Sequence, residues 1–140
     1  MRKLVGFFAL FLFLSIGMVA HAEEKKEEEK EEEKERLPPA YYQLAPSIVS
    51  NLTGGPRFLR CDVQLLATDQ EAATALAEHA PALRHEFLML LIGYDGKALQ
   101  TAEGKEKLRQ DAITALQKVM TEMTGKALVK DLFFTSFYAR

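Results

Sequence analysis

One cysteine, three histidines and no surplus of positive charge occur in this 140-residue chain, and each shortage removes a class of function. With Cys61 alone, no disulfide can close within the chain, so the folded part must stand on its apolar core even in an oxidising compartment. A closed zinc site is equally hard to assemble. His85-Glu86 lacks the second histidine of a helical zinc motif, and Pro81 lies between His79 and His85. No serine sits in a Gly-x-Ser-x-Gly setting, and Gly54-Gly55 is followed by neither a lysine nor a helix start at phosphate-cradle spacing. Acid pairs such as Glu103 with Glu106 are interleaved with lysines, the pattern of a wet helix face. The residues therefore predict no catalytic, cofactor-binding or metal-binding positions, and no enzyme. The formal net charge of −2 divides into +2 for residues 1–22, −4 for residues 23–36 and zero for residues 37–140. No strongly basic surface is left for nucleic acid or anionic lipid.

What the chain does have is concentrated at its start. Met1-Arg2-Lys3 precedes an almost unbroken apolar run from Leu4 to Ala20, which ends in Ala20-His21-Ala22. A short basic start, an apolar segment and an Ala-x-Ala triplet are the parts of a bacterial export signal. As a helix the run would be roughly 25 Å long, marginal for a bilayer. Two outcomes stay open: cleavage after Ala22, or retention of residues 4–20 as an anchor in the inner membrane. Either places residues 37–140 in the periplasm, because Arg2 and Lys3 stay on the cytoplasmic side. Residues 23–36, nine glutamates with four lysines and one arginine, have nothing apolar to bury and read as a charged spacer.

Leu37-Pro38-Pro39-Ala40 ends the charge run and opens a single domain over 37–140. Short extended segments are expected at Tyr41–Leu44 and Ile48–Asn51, separated by Pro46. A turn at Thr53–Pro56 leads into a strand from Arg57 to Ala67. In that strand Leu59, Cys61, Val63 and Leu65 alternate with Arg60, Asp62 and Gln64, which predicts a buried Cys61. Thr68-Asp69-Gln70-Glu71 has the form of a capping box with Thr68 as the N-cap. The helix that follows is kinked or restarted at Pro81. Its second half, Leu83, Phe87, Leu88, Leu90, Leu91 and Ile92, is apolar on more than one side, which predicts a central core helix.

Gly93–Gly96 closes that helix, and Thr101 is the expected N-cap of the next, from Ala102 to about Met123. Leu108, Ala112, Ala115, Leu116, Val119, Met120 and Met123 fall on its core side, with Lys105, Arg109 and Lys118 outside. Gly125 stops it. A last strand from Leu128 to Tyr138 carries apolar residues on both faces and is expected to be interior or doubly covered. The order of elements predicts an α+β domain: a small antiparallel sheet with packed helices.

Three segments together resemble the FliL-type flagellar basal-body-associated proteins. Tyr41 to Leu52 looks like that family's entry strand, with its tyrosine, Leu-x-Pro and Asn-Leu end. Ala80-Pro81-Ala82-Leu83-Arg84, Leu88 to Ile92 and Ala98 to Arg109 resemble its central helices, the Glu103-Gly104-Lys105 run being the most recognisable piece. Leu132 to Phe137 is similar to its closing strand. The resemblance implies an inner-membrane protein with a stomatin- or prohibitin-like periplasmic domain. It further implies a structural role at the flagellar basal body: support of the motor stator and of swimming and swarming motility, through ring-like self-assembly. The partners implied are stator and basal-body components and further copies of the chain. Two departures stand out: the apolar segment begins as early as Leu4, and His85 follows Arg84 where the family has an acidic residue. The alternative is a soluble periplasmic binding or chaperone-like module without a motor role.

Overall fold

The computed structural model describes residues 38–140. The expected export signal or anchor at 1–22 and the charged spacer at 23–36 lie outside the described residues. The elements are β1 (Tyr41–Gln43), β2 (Ile48–Asn51), β3 (Phe58–Ala67), α1 (Gln70–Glu78), α2 (Ala80–Ile92), a 3-10 turn at Ala98–Gln100, α3 (Ala102–Thr124) and β4 (Val129–Ala139). Among the described residues no helix is long and apolar enough to cross a membrane.

β3 is the spine of an antiparallel four-stranded sheet and pairs with each of the other strands. β4 runs along one of its edges over almost its full length, Leu59↔Ala139 to Ala67↔Val129. β1 (Tyr41↔Leu66) and β2 (Ile48↔Cys61) lie end to end along the other. The break between them is Leu44-Ala45-Pro46-Ser47, where Ala45-Pro46 is a cis peptide. From α2, the guanidinium of Arg84 donates to the carbonyl oxygens of Leu44, at 3.2 Å, and of Pro46. Carbonyls that lose their strand partners at the break thus gain a charged donor, as buried or half-buried backbone groups require.

Alternation along β3 sorts the two faces as expected. Leu59, Cys61, Val63 and Leu65 are fully buried, and their partners Ala139, Phe137, Phe134 and Leu132 point to the same side. All three α-helices pack on that face. Leu76 of α1, Leu83, Phe87 and Leu91 of α2, and Leu108, Ala112, Leu116 and Met120 of α3 complete one continuous core. Phe87 meets Phe134 across the helix–sheet boundary with ring centroids 6.3 Å apart. Desolvation, aided by the neighbouring Asp62 carboxylate, pushes the Cys61 thiol up to about 12.

Four expectations are corrected. The N-cap of α1 is Asp69, whose carboxylate accepts from the Ala72 amide at 2.8 Å. A Thr68 capping box cannot close, because the Thr68 amide that Glu71 would have to reach already donates to Leu128 O, 3.1 Å away and just ahead of β4. α2 is not a central helix: Leu83, Phe87 and Leu91 form one buried stripe, while Met89 and Ile92 are more than half exposed. At 100° per residue these two lie on the side opposite the stripe, and no further layer of the described residues covers them. Met123 shares the core side of α3 but stands beyond Met120, the last buried residue of that helix, and is 51% exposed.

β4, finally, is an edge strand rather than an interior one. Two register shifts, between Asp62 and Val63 and between Leu66 and Ala67 of β3, leave Thr135 and Lys130 as extra residues of β4. Each bulge restarts the alternation. Apolar residues that look two-sided in the sequence, such as Leu132, Phe134 and Phe137, therefore share the core face. Pro81 marks a fresh start, with His79 ending α1 and preceding α2.

Candidate interaction surface

The polar side chains that could suggest chemistry are engaged in holding elements together. Thr101 caps α3, its hydroxyl accepting from Gly104 N at 3.0 Å and donating to Ala98 O at 2.9 Å. A β-carbon at Gly104 would lie 1.8 Å from Ala98 O. The Glu103-Gly104-Lys105 run thus has a packing reason: the 3-10 turn folds back onto the first turn of α3, and only glycine leaves room. Beside it, Tyr94 Oη donates to Asp111 Oδ2 at 2.5 Å and Lys107 Nζ donates to the same oxygen at 2.6 Å. This ties the α2–α3 connection to α3. Those two hydrogen bonds, Lys107 first, hold the Asp111 carboxyl below its ordinary range. Burial, with the Asp111 hydrogen bond second, raises the Tyr94 phenol.

Arg109, expected to point out, is a bridge. It takes Glu106 in a two-pronged pair at 2.6 and 2.8 Å on its own helix and reaches Asp131 of β4. Hydrogen bonds from Arg109, then from Gln110, lower the Glu106 carboxyl to about 2. On the sheet, Ser47 Oγ donates to Asp62 Oδ1 and lies 3.5 Å from an Arg60 guanidinium nitrogen. His79 sits at the α1–α2 junction, its carbonyl accepting from Ala82 and Leu83, and His85 is exposed on α2. Among the described residues no group of three His, Cys, Asp or Glu could hold a metal ion. No buried side-chain nitrogen or oxygen among them is without a partner, so none is aimed at an absent ligand.

Among the described residues the exposed large apolar side chains gather in two places, with Met123 standing alone near the end of α3. Cross-strand register puts Tyr41, Val49, Phe58, Phe133 and Tyr138 together on the face of the sheet away from the helices. They are 48%, 52%, 39%, 39% and 52% exposed, and no layer of the described residues covers them. Tyr41 and Phe133 meet edge to face at 6.3 Å across β3. The second place is the outward stripe of α2, His85, Met89 and Ile92. Sequence reasoning missed both: the first needs the register of the bulged strand, the second the identity of the buried face of α2. The period-2 alternation of β3 and a count of apolar positions on α2 were the available signals.

No curated protein sequence matches the chain closely enough to count as a relative. The family described as flagellar basal body-associated protein FliL matches residues 41–139, from the first residue of β1 to the last of β4. That match takes in every strand and helix described above and most of the chain. The resemblance carried by the entry strand, the Glu-Gly-Lys turn and the closing strand is therefore one of the whole folded body, and this chain belongs to the FliL family of flagellar basal body-associated proteins.

Proposed function

We propose that the chain is a non-catalytic scaffold component of the basal body, held in the periplasm and anchored at the inner membrane or released there. It associates with further copies of itself and with the motor stator, and through them supports swimming and swarming. The observation that carries this reading is the family match over residues 41–139, joined to a body whose polar groups serve its own packing while its apolar faces stay open. Buried polar networks with every member satisfied rigidify a fold, which is what a scaffold needs. Exposed aromatic clusters are a usual mark of protein association. The reading extends to a stomatin- and prohibitin-like fold for residues 37–140, in keeping with a small open sheet and helices on one side.

Deletion of the gene should reduce swimming in soft agar or swarming on surfaces, and the protein should co-purify with basal bodies. Normal motility in both assays together with absence from purified basal bodies would refute the proposal. Fractionation with N-terminal sequencing separates an anchored form from one released at Glu23.

A further inference from the structure

The two open apolar patches lie on opposite sides of the domain. Helices α1, α2 and α3 cover one face of the sheet, so the aromatic face of Tyr41, Val49, Phe58, Phe133 and Tyr138 looks away from them. The Met89 and Ile92 stripe of α2 looks outward from the far side of the helix layer. We infer that the two patches are partners between copies: the outward stripe of α2 in one molecule docks on the aromatic sheet face of the next.

Three observations favour this occupant. Shape and chemistry fit, since a helix edge of methionine and isoleucine with a slim profile lies readily across a row of tyrosines and phenylalanines. Thioether–aromatic contact adds to the burial of apolar area. Charge fits as well. The segment from α1 to the end of the α2 connection is acidic on balance, carrying Glu71, Glu78, Glu86 and Asp95 against Arg84 and Lys97. The sheet face carries Arg60, with Arg57 and Arg140 joined by a 3.0 Å backbone bond at its end, and its one central carboxylate, Asp62, is already taken by Ser47. Area fits a repeated contact better than an isolated dimer. Five large side chains about half exposed offer on the order of 400 Å², against about 800 Å² per partner in a stable two-body interface. A sheet-to-sheet dimer would also bring two copies of Arg60 and its neighbours together.

Because the patches differ, the contact is head to tail. Each copy that docks leaves one sheet face and one helix stripe unfilled, so growth passes beyond two copies. This inference rests on the self-association proposed above and adds its surface and polarity.

Paired cysteines in the full chain, produced in cells, test it directly. Cys61 is fully buried and its thiol is raised to about 12, so it contributes no background to maleimide chemistry. A short bis-maleimide should give a ladder of dimers, trimers and larger species from the Val49→Cys, Ile92→Cys double variant, and no ladder from either single variant. A second pair, Tyr138→Cys with Met89→Cys, should behave alike and covers the case in which one substitution disturbs the fold. Dimers from Val49→Cys alone would establish a sheet-to-sheet contact and overturn the inference, as would monomers only from both pairs. A motility defect on deletion without a ladder removes this interface and leaves the basal-body role. A ladder without a motility defect supports the interface and removes the role.

Discussion

Replacing Gly104 by alanine should destabilise the protein, although the same change in an ordinary helix interior is worth roughly 1 kcal/mol in favour of alanine. The sign reverses because of where the new methyl would go. Its position is 1.8 Å from Ala98 O and 2.5 Å from Ala98 C, where ordinary contact begins at 3.4 Å. The 3-10 turn must therefore retreat by more than 1 Å. That carbonyl accepts from Thr101 N at 3.2 Å and from Thr101 Oγ1 at 2.9 Å, so its retreat disrupts both the turn and the cap of α3. Two hydrogen bonds of roughly 1 kcal/mol each, with about 1–3 kcal/mol of overpacking, outweigh the propensity gain. A net loss of about 2–4 kcal/mol remains, which lowers the melting temperature of a domain this size by roughly 10–20 °C. Urea denaturation followed by circular dichroism reads it as a lower midpoint with unchanged slope. A Gly104→Ala protein as stable as the wild type would show that the close approach does not exist in solution.

Asp69→Ala should cost about 1 kcal/mol by removing the N-cap of α1, whereas Thr68→Ala, which keeps the backbone amide that bonds to Leu128, should fall within roughly 0.5 kcal/mol; chemical denaturation ranks them. Arg84→Met should cost about 2–3 kcal/mol, because the Leu44 and Pro46 carbonyls at the strand break lose a charged donor; a midpoint equal to that of wild type would refute the brace. Glu106 stabilises the fold in its charged form, so its contribution is complete above its ordinary value of 4.5 and is lost as pH falls from there through about 2. Glu106→Gln should accordingly flatten the dependence of stability on pH in that window, and an unchanged slope between the two proteins would count against the Arg109 pair.

Much of this architecture is written locally. The alternation of Leu59, Cys61, Val63 and Leu65 against Arg60, Asp62 and Gln64 suffices to place β3 and to bury its cysteine. Thr101 and Gly125 bound α3 by capping chemistry that acts over three or four residues, with Gly125 at φ 79°. Less legible is whatever depends on a partner distant in sequence. The choice between Thr68 and Asp69 as cap is made by Leu128, sixty residues away, which claims the Thr68 amide. Leu128 itself, read as the first strand residue, adopts φ 59° and turns the chain into β4 instead. Arg109 looks like one more solvated cation until β4 brings Asp131 to it. The apolar excess of α2, taken for a buried helix, and the two-sidedness of β4, taken for an interior strand, share one cause. Composition counts apolar residues, but bulges and layer order decide which way they face. From the sequence, Ile92 of α2 and Phe133 of β4 therefore read as covered although both are exposed.

The bulges at Lys130 and Thr135 have a consequence for life at high copy number. A straight eleven-residue border with free amides and carbonyls would template the addition of another chain, and that one the next. Here the border is bent twice and carries a lysine at one bend, so crowded neighbours find no continuous row to extend. Copies crowded together can then meet side by side without being drawn into fibrils.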